Sequence, residues 1–144
     1  MTLSEARMHA RLPEPLIVVV ADDDDDLRSL ATAMLRAEGC STLEARDGQE
    51  LVDLLQAADE PGLRPDVVVA DVMMPRLSGL GALEALRRAR RDVPVVMMTG
   101  ASDEAIRSVA AKLGAAEVLR KPFEPDDLVT AVRKARASPP QRPT

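Results

Sequence analysis

Asp22 and Asp23, Asp71, Thr99, and Lys121 each stand at the end of a short apolar or β-branched run, and together they carry the groups that phosphoryl chemistry needs. Residues 16–21 lead into the first pair, 66–70 into Asp71, 93–98 into Thr99-Gly100 and 117–119 into Lys121-Pro122. If these runs are parallel strands of one open sheet, their carboxyl ends share a rim, which is where such sheets bind ligands. Three carboxylates, a hydroxyl and an ammonium then converge. Carboxylates a few ångströms apart repel by roughly 3 kcal/mol per pair at an effective dielectric near 20, so the cluster calls for a cation. An all-oxygen donor set favours Mg²⁺, with Mn²⁺ as its substitute, and Mg²⁺ commonly works beside phosphate oxygens. Within such a site Asp71 is the candidate nucleophile, because a carboxylate can form an acyl phosphate. Lys121 would neutralise the transferred oxygens and the Thr99 hydroxyl would hydrogen-bond one of them.

The elements that must position these groups are legible from periodicity. Strands are expected over 16–21, 41–45, 66–70, 93–98 and 117–119, alternating with segments of helical period. The first, third and fourth runs are apolar on both alternations, as central parallel strands are; the second and fifth are mixed, which suits edges. Leu27, Leu30, Ala31, Met34 and Leu35 form the first helical stripe, and Leu51, Leu54, Leu55 and Ala58 the second. Leu80, Leu83 and Leu86 follow, then Ile106, Val109, Ala110 and Leu113, then Leu128, Val129, Val132 and Ala135, and each stripe is expected to face the sheet. Gly39 and Gly114 sit where helices should stop, and Pro125 where a first helical turn tolerates a missing N–H. Residues 1–15, ending in Pro13-Glu14-Pro15, read as an N-terminal extension, 16–137 as the folded domain, and 138–144 as a Pro-rich tail.

The bulk properties exclude several classes. A chain of 144 residues with a net charge of -5 has the size and balance of one soluble globular domain. The single cysteine, Cys40, rules out an internal disulfide and fits a reducing cytoplasm. No run approaches a membrane span, so no membrane association is expected. The acidic balance and the lone aromatic residue, Phe123, remove the basic footprint and stacking platforms of nucleic-acid binders, so no direct nucleic-acid contact is expected.

Asp22-Asp23, Asp71-Val72-Met73-Met74-Pro75 with Gly79, Thr99-Gly100 and Lys121-Pro122-Phe123, in this order and at these strand ends, resemble the motif set of the response-regulator receiver family of two-component signalling, over about residues 16–136. The resemblance implies a flavodoxin-like, doubly wound α/β fold with five helices and a five-stranded parallel sheet of order 2-1-3-4-5. It implies that Asp71 is the phosphoacceptor and that Asp23, Asp71 and the Met73 carbonyl bind Mg²⁺, with Asp22 acting through water. A cis Lys121–Pro122 bond is part of the resemblance. So is the partner class, a sensor histidine kinase or a histidine phosphotransfer protein, with a downstream protein as target. The function expected is that of a signalling phosphoacceptor that catalyses only its own phosphorylation and dephosphorylation, with no output domain within these residues.

Departures from the family pattern carry information. Val118 stands three residues before the lysine, where many receivers have a ring whose reorientation accompanies activation. Met73 and Ala101 occupy two positions that commonly tune acyl-phosphate lifetime, and neither can orient an attacking water. Plainer readings stand beside the functional ones: Asp24, Asp25 and Asp26 as acids favouring a helix N-terminus, Met73, Met74, Met97 and Met98 as packing, His9 as inert. Asp22-x-Asp24 also suits a haloacid-dehalogenase-like phosphatase, although that reading leaves Asp71 unexplained. A degenerate receiver serving only as a binding module would not need the acceptor, lysine and threonine that are present.

Overall fold

Three of the five strands start on a β-branched residue, Ile17, Val67 and Val95, because Val and Ile fit a pleated surface buried on both faces. The structure, a computed structural model, describes residues 16–57, 64–89, 91–100 and 104–137. The extension 1–15 with His9, the end of the second stripe at Ala58, Ala101 and Ser102, and the tail 138–144 lie outside the described residues. Strands β1 (Ile17–Ala21), β2 (Ser41–Ala45), β3 (Val67–Asp71), β4 (Val95–Thr99) and β5 (Glu117–Arg120) alternate with helices α1 (Asp25–Ala37), α2 (Gly48–Ala57), α3 (Gly79–Arg88), α4 (Glu104–Lys112) and α5 (Pro125–Ala137). All pairings are parallel and the order is β2-β1-β3-β4-β5, the flavodoxin-like order expected. The order reverses between β1 and β3, which places the binding crevice at their carboxyl ends.

Alternate strand residues divide two cores, as the two-residue period requires. Val19, Ala21, Val68, Ala70 and Met97 pack under α2, α3 and α4 with Leu51, Leu55, Leu83, Leu86 and Ala110. Val18, Val20, Val67, Val69, Val96 and Met98 pack under α1 and α5 with Ala31, Leu35, Leu128 and Val132. Gly39 and Gly114 both adopt a φ of 95° just past α1 and α4, and Pro125 opens α5, each where the sequence puts it.

Several expectations are corrected. β3 and β4 run 67–71 and 95–99 rather than 66–70 and 93–98, so Asp71 and Thr99 are themselves the last ladder residues: the Val72 amide donates to the Met98 carbonyl and that of Lys121 to Thr99, which keeps both in register. Leu30 and Val109 do not face the sheet; they are exposed. In α1 the buried positions are Arg28, Ala31, Thr32 and Leu35, and at 100° per residue Leu30 is turned far from that stripe. The Met73 side chain is 70% exposed, so it is not packing, whereas Met74, Met97 and Met98 are buried.

The loop after Asp71 is clamped by backbone. The Gly48 amide donates to the Leu77 carbonyl at 3.0 Å, Arg76 sits at a φ of 67° and its guanidinium lies 3.6 Å from buried Asp47. A Cβ on Gly48 would meet the Leu77 oxygen at 2.1 Å, whereas at Gly81 the nearest atom, at 2.8 Å, is the mobile end of the Leu77 side chain. Gly48→Ala is therefore expected to destabilise the fold by about 1–3 kcal/mol, because two backbones must part. Gly81→Ala, inside α3, should be neutral or stabilising, since alanine is the better helix former. Urea midpoints check both, and equal midpoints for the two variants would show that the 48/77 contact is not tight.

Candidate functional site

Asp22 leaves β1 with its amide bonded to the Ala45 carbonyl at 3.1 Å and its side chain only 1% exposed. One carboxylate oxygen accepts from the Asp24 amide at 3.0 Å and the other from Lys121 Nζ at 2.9 Å. Asp71 accepts a second bond from the same Nζ, also at 2.9 Å, and one from the Met73 amide at 3.3 Å. Lys121 reaches both acids from the turn after β5, whose backbone is tied to Thr99 by the Lys121 amide at 2.8 Å; the Lys121–Pro122 bond is cis. Thr99 is buried beside it at the end of β4, and Asp23 is exposed at the mouth.

Carboxylate oxygens of Asp22, Asp23 and Asp71 lie within 4.8 Å of one another. Among the described residues one ammonium, that of Lys121, bonds Asp22 and Asp71, so the three acids keep an excess of negative charge. Burial raises the Asp71 carboxyl above the ordinary carboxylate range; the hydrogen bond and charge of Lys121 oppose the rise, and the neighbouring Asp22 adds to it. Burial alone would lower the Lys121 ammonium, but its bonds to Asp22 and Asp71 outweigh that and raise it. A small, oxygen-only, net negative cradle at a sheet's carboxyl edge fits a hard divalent cation.

The sequence-derived set thus comes together in Asp22, Asp23, Asp71 and Lys121, with Thr99 held against it through the backbone. Met73 meets Asp71 through its amide. Asp24 stands apart: its Oδ1 caps α1 by accepting from the Asp26 and Leu27 amides at 3.0 and 3.2 Å. The phosphatase reading needed Asp24 as a second acid, and the position is occupied by a cap while Asp71 fills the site. Arg28 was missed. It lies at an inward position of α1 and donates to the Asp22 carbonyl at 2.7 Å. The available signal was a charged residue three, four and seven positions before Ala31, Thr32 and Leu35, hence on their face.

Comparison with known proteins agrees with this geometry. The family profile for the response regulator receiver domain matches residues 18–133. The transcriptional regulatory protein CpxR of Escherichia coli K12 is 36% identical over 116 residues, 81% of this chain and 47% of that protein. The response regulator MprA of Mycolicibacterium vanbaalenii is 38% identical over 119 residues, 83% of this chain and 49% of that protein. The chain therefore spans about half the length of these curated relatives. Among solved structures, the receiver domain of a Francisella response regulator superposes with a TM-score of 0.77 at 30% identity, covering 84% of this chain and 96% of the other. The chemotaxis response regulator CheY4 of Vibrio cholerae gives 0.76 at 27% identity, covering 84% and 98%. No helix among the described residues is long and apolar enough to cross a membrane. The chain belongs to the receiver domains of two-component response regulators.

Proposed function

We propose that this receiver takes a phosphoryl group onto Asp71 from a histidine kinase or histidine phosphotransfer protein in the cytoplasm and passes the change to a downstream protein. The observation that carries the reading is Lys121 Nζ bridging Asp22 and Asp71, 2.9 Å from each, inside a cluster of acids that share one rim. An Asp71 carboxylate oxygen would attack phosphorus; the new O–P bond forms as the bond to the donor's imidazole nitrogen breaks, and that nitrogen keeps the electron pair. Asp22, Asp23, Asp71 and the Met73 carbonyl would hold Mg²⁺ or Mn²⁺, which supplies positive charge for the transferred oxygens. Lys121 would exchange its bond to Asp71 for one to a phosphoryl oxygen, staying anchored on Asp22. The Thr99 hydroxyl would bond another. Neither Met73 nor Ala101 offers a group to direct water, so the chain's own dephosphorylation should be slow. The test is intact mass after incubation with a small acyl-phosphate donor. One added phosphoryl group with Mg²⁺ and none with a chelator is expected; no added mass under either condition would remove the reading.

The signal would leave through Thr99, whose displacement toward a phosphoryl oxygen pulls on the chain that leads to α4, a local charge event read out by a two-state element. Val118, half-buried in β5, borders a hollow with Glu104, Arg107 and Ser108 of α4 and has no ring to fill space vacated there. Phosphorylation-dependent partner binding on the α4-β5-α5 face should therefore depend on Thr99 and barely on Val118. A coupling of about 1–3 kcal/mol is typical of such switches. Partner affinity with and without a phosphoryl mimic should lose this difference in Thr99→Ala and keep most of it in Val118→Ala. Loss in Val118→Ala alone would give the switch to the valine.

A further inference from the structure

Arg28 is a guanidinium on the core-facing stripe of a helix, a place that normally holds an apolar side chain, and it is only 8% exposed. All three of its nitrogens are used. Nη1 donates to the Asp22 carbonyl at 2.7 Å, Nε to Glu44 of β2 at 3.1 Å and Nη2 to Asp25 at 2.6 Å. The Asp22 carbonyl belongs to the peptide that joins Asp22 to Asp23. Asp22's own amide is fixed on the other side by the Ala45 carbonyl, the residue after Glu44. The stretch carrying two of the three clustered acids is thus gripped by β2 at its amide and by Arg28 at its carbonyl.

We propose that Arg28 is a positioning residue for the cation site: by holding the Asp22–Asp23 peptide from behind, it sets where the Asp23 carboxylate stands relative to Asp22 and Asp71. The inference rests on the function proposed above and deepens it. A charge-assisted bond to a buried carbonyl resists rotation of that peptide, because the oxygen would have no equal partner after turning. Arg28 donates to none of the clustered carboxylate oxygens, and Asp25 and Glu44 balance its charge, so it acts on the site through the peptide it holds. Outer groups of this kind commonly change metal affinity by about 10- to 100-fold when removed.

A purely structural role, tying α1 to β2, would run through Glu44, and this separates the two readings. Calorimetric titration of the unphosphorylated protein with MgCl₂ should show at least about tenfold weaker binding in Arg28→Met. Arg28→Lys, which keeps the charge but loses the fork, should fall between Arg28→Met and wild type. Glu44→Gln, which leaves the carbonyl bond in place, should stay within about twofold of wild type. If Arg28→Met does not fold, Arg28→Lys decides: weakened binding by a folded protein supports the role. Wild-type affinity in a folded Arg28 variant, or equal weakening by Glu44→Gln and Arg28→Met, would overturn it. Absence of Mg²⁺ binding by the wild-type protein would instead overturn the site reading, and this inference with it.

Discussion

Asp71→Asn should abolish Mg²⁺-dependent phosphoryl uptake outright, because an amide oxygen is no nucleophile for phosphorus and no other acid of the cluster occupies the same place between Lys121 and the Met73 amide. The substitution should not cost stability. Burial holds the Asp71 carboxyl above its ordinary range, so the folded state favours the protonated acid, and the ionised form present at neutral pH weighs against folding. Asparagine removes that burden, and Asp71→Asn is expected to melt at or above the wild-type temperature, as is common where a site is strained for function. Asp24→Asn is the matched control. Asparagine caps a helix as well as aspartate does, so α1 and phosphorylation should both survive. Intact mass and thermal melts of the three proteins check this, and retained mass gain in Asp71→Asn would move the acceptor elsewhere.

Asp23→Ala is expected to bring cation binding below detection while leaving the fold alone. Asp23 is exposed and enters no ion pair among the described residues, and its removal takes one of three mutually repelling acids away, so the variant should be as stable as wild type or more so. It removes one of three carboxylates from the cradle, and too few then remain to offset the dehydration of Mg²⁺. Asp22→Ala would be a poorer probe, since that acid is buried and anchors Lys121 as well as the Asp24 amide. Titration with MgCl₂ and a urea melt of the same sample separate the two effects; unchanged affinity in Asp23→Ala would place the metal on other groups.

Most of the site was legible because polar residues that interrupt apolar strands are conspicuous. Asp22, Asp71 and Thr99 each end a run whose neighbours cannot sit anywhere but in a core, Lys121 follows the mixed edge run and is marked by the proline after it, and parallel pairing alone brings those ends together. What the sequence hid depends on contacts between distant segments. Arg28 looks like an ordinary helix-surface charge until β2 delivers Glu44 and the first loop delivers a carbonyl. The clamp of Gly48 and Asp47 on Leu77 and Arg76 joins two loops that share no pattern. Leu30 and Val109 counted as core because periodicity fixes a stripe only to within its flanks, and the sheet chooses which flank it covers. The strand ends moved outward by a residue because Asp71 and Thr99, though polar, still pair backbone to backbone.

The central claim is that one particular carboxyl carries the phosphoryl group, and borohydride trapping reads it directly. Hydride reduces an acyl phosphate to the alcohol, expelling phosphate, so a phosphorylated aspartate becomes homoserine and stays marked through digestion. Peptide mass mapping of the wild-type protein after phosphorylation and reduction should find homoserine at position 71 and aspartate unchanged at 22, 23 and 24. Homoserine at any of those three, or phosphate that survives reduction on a hydroxyl or imidazole group, would contradict the account.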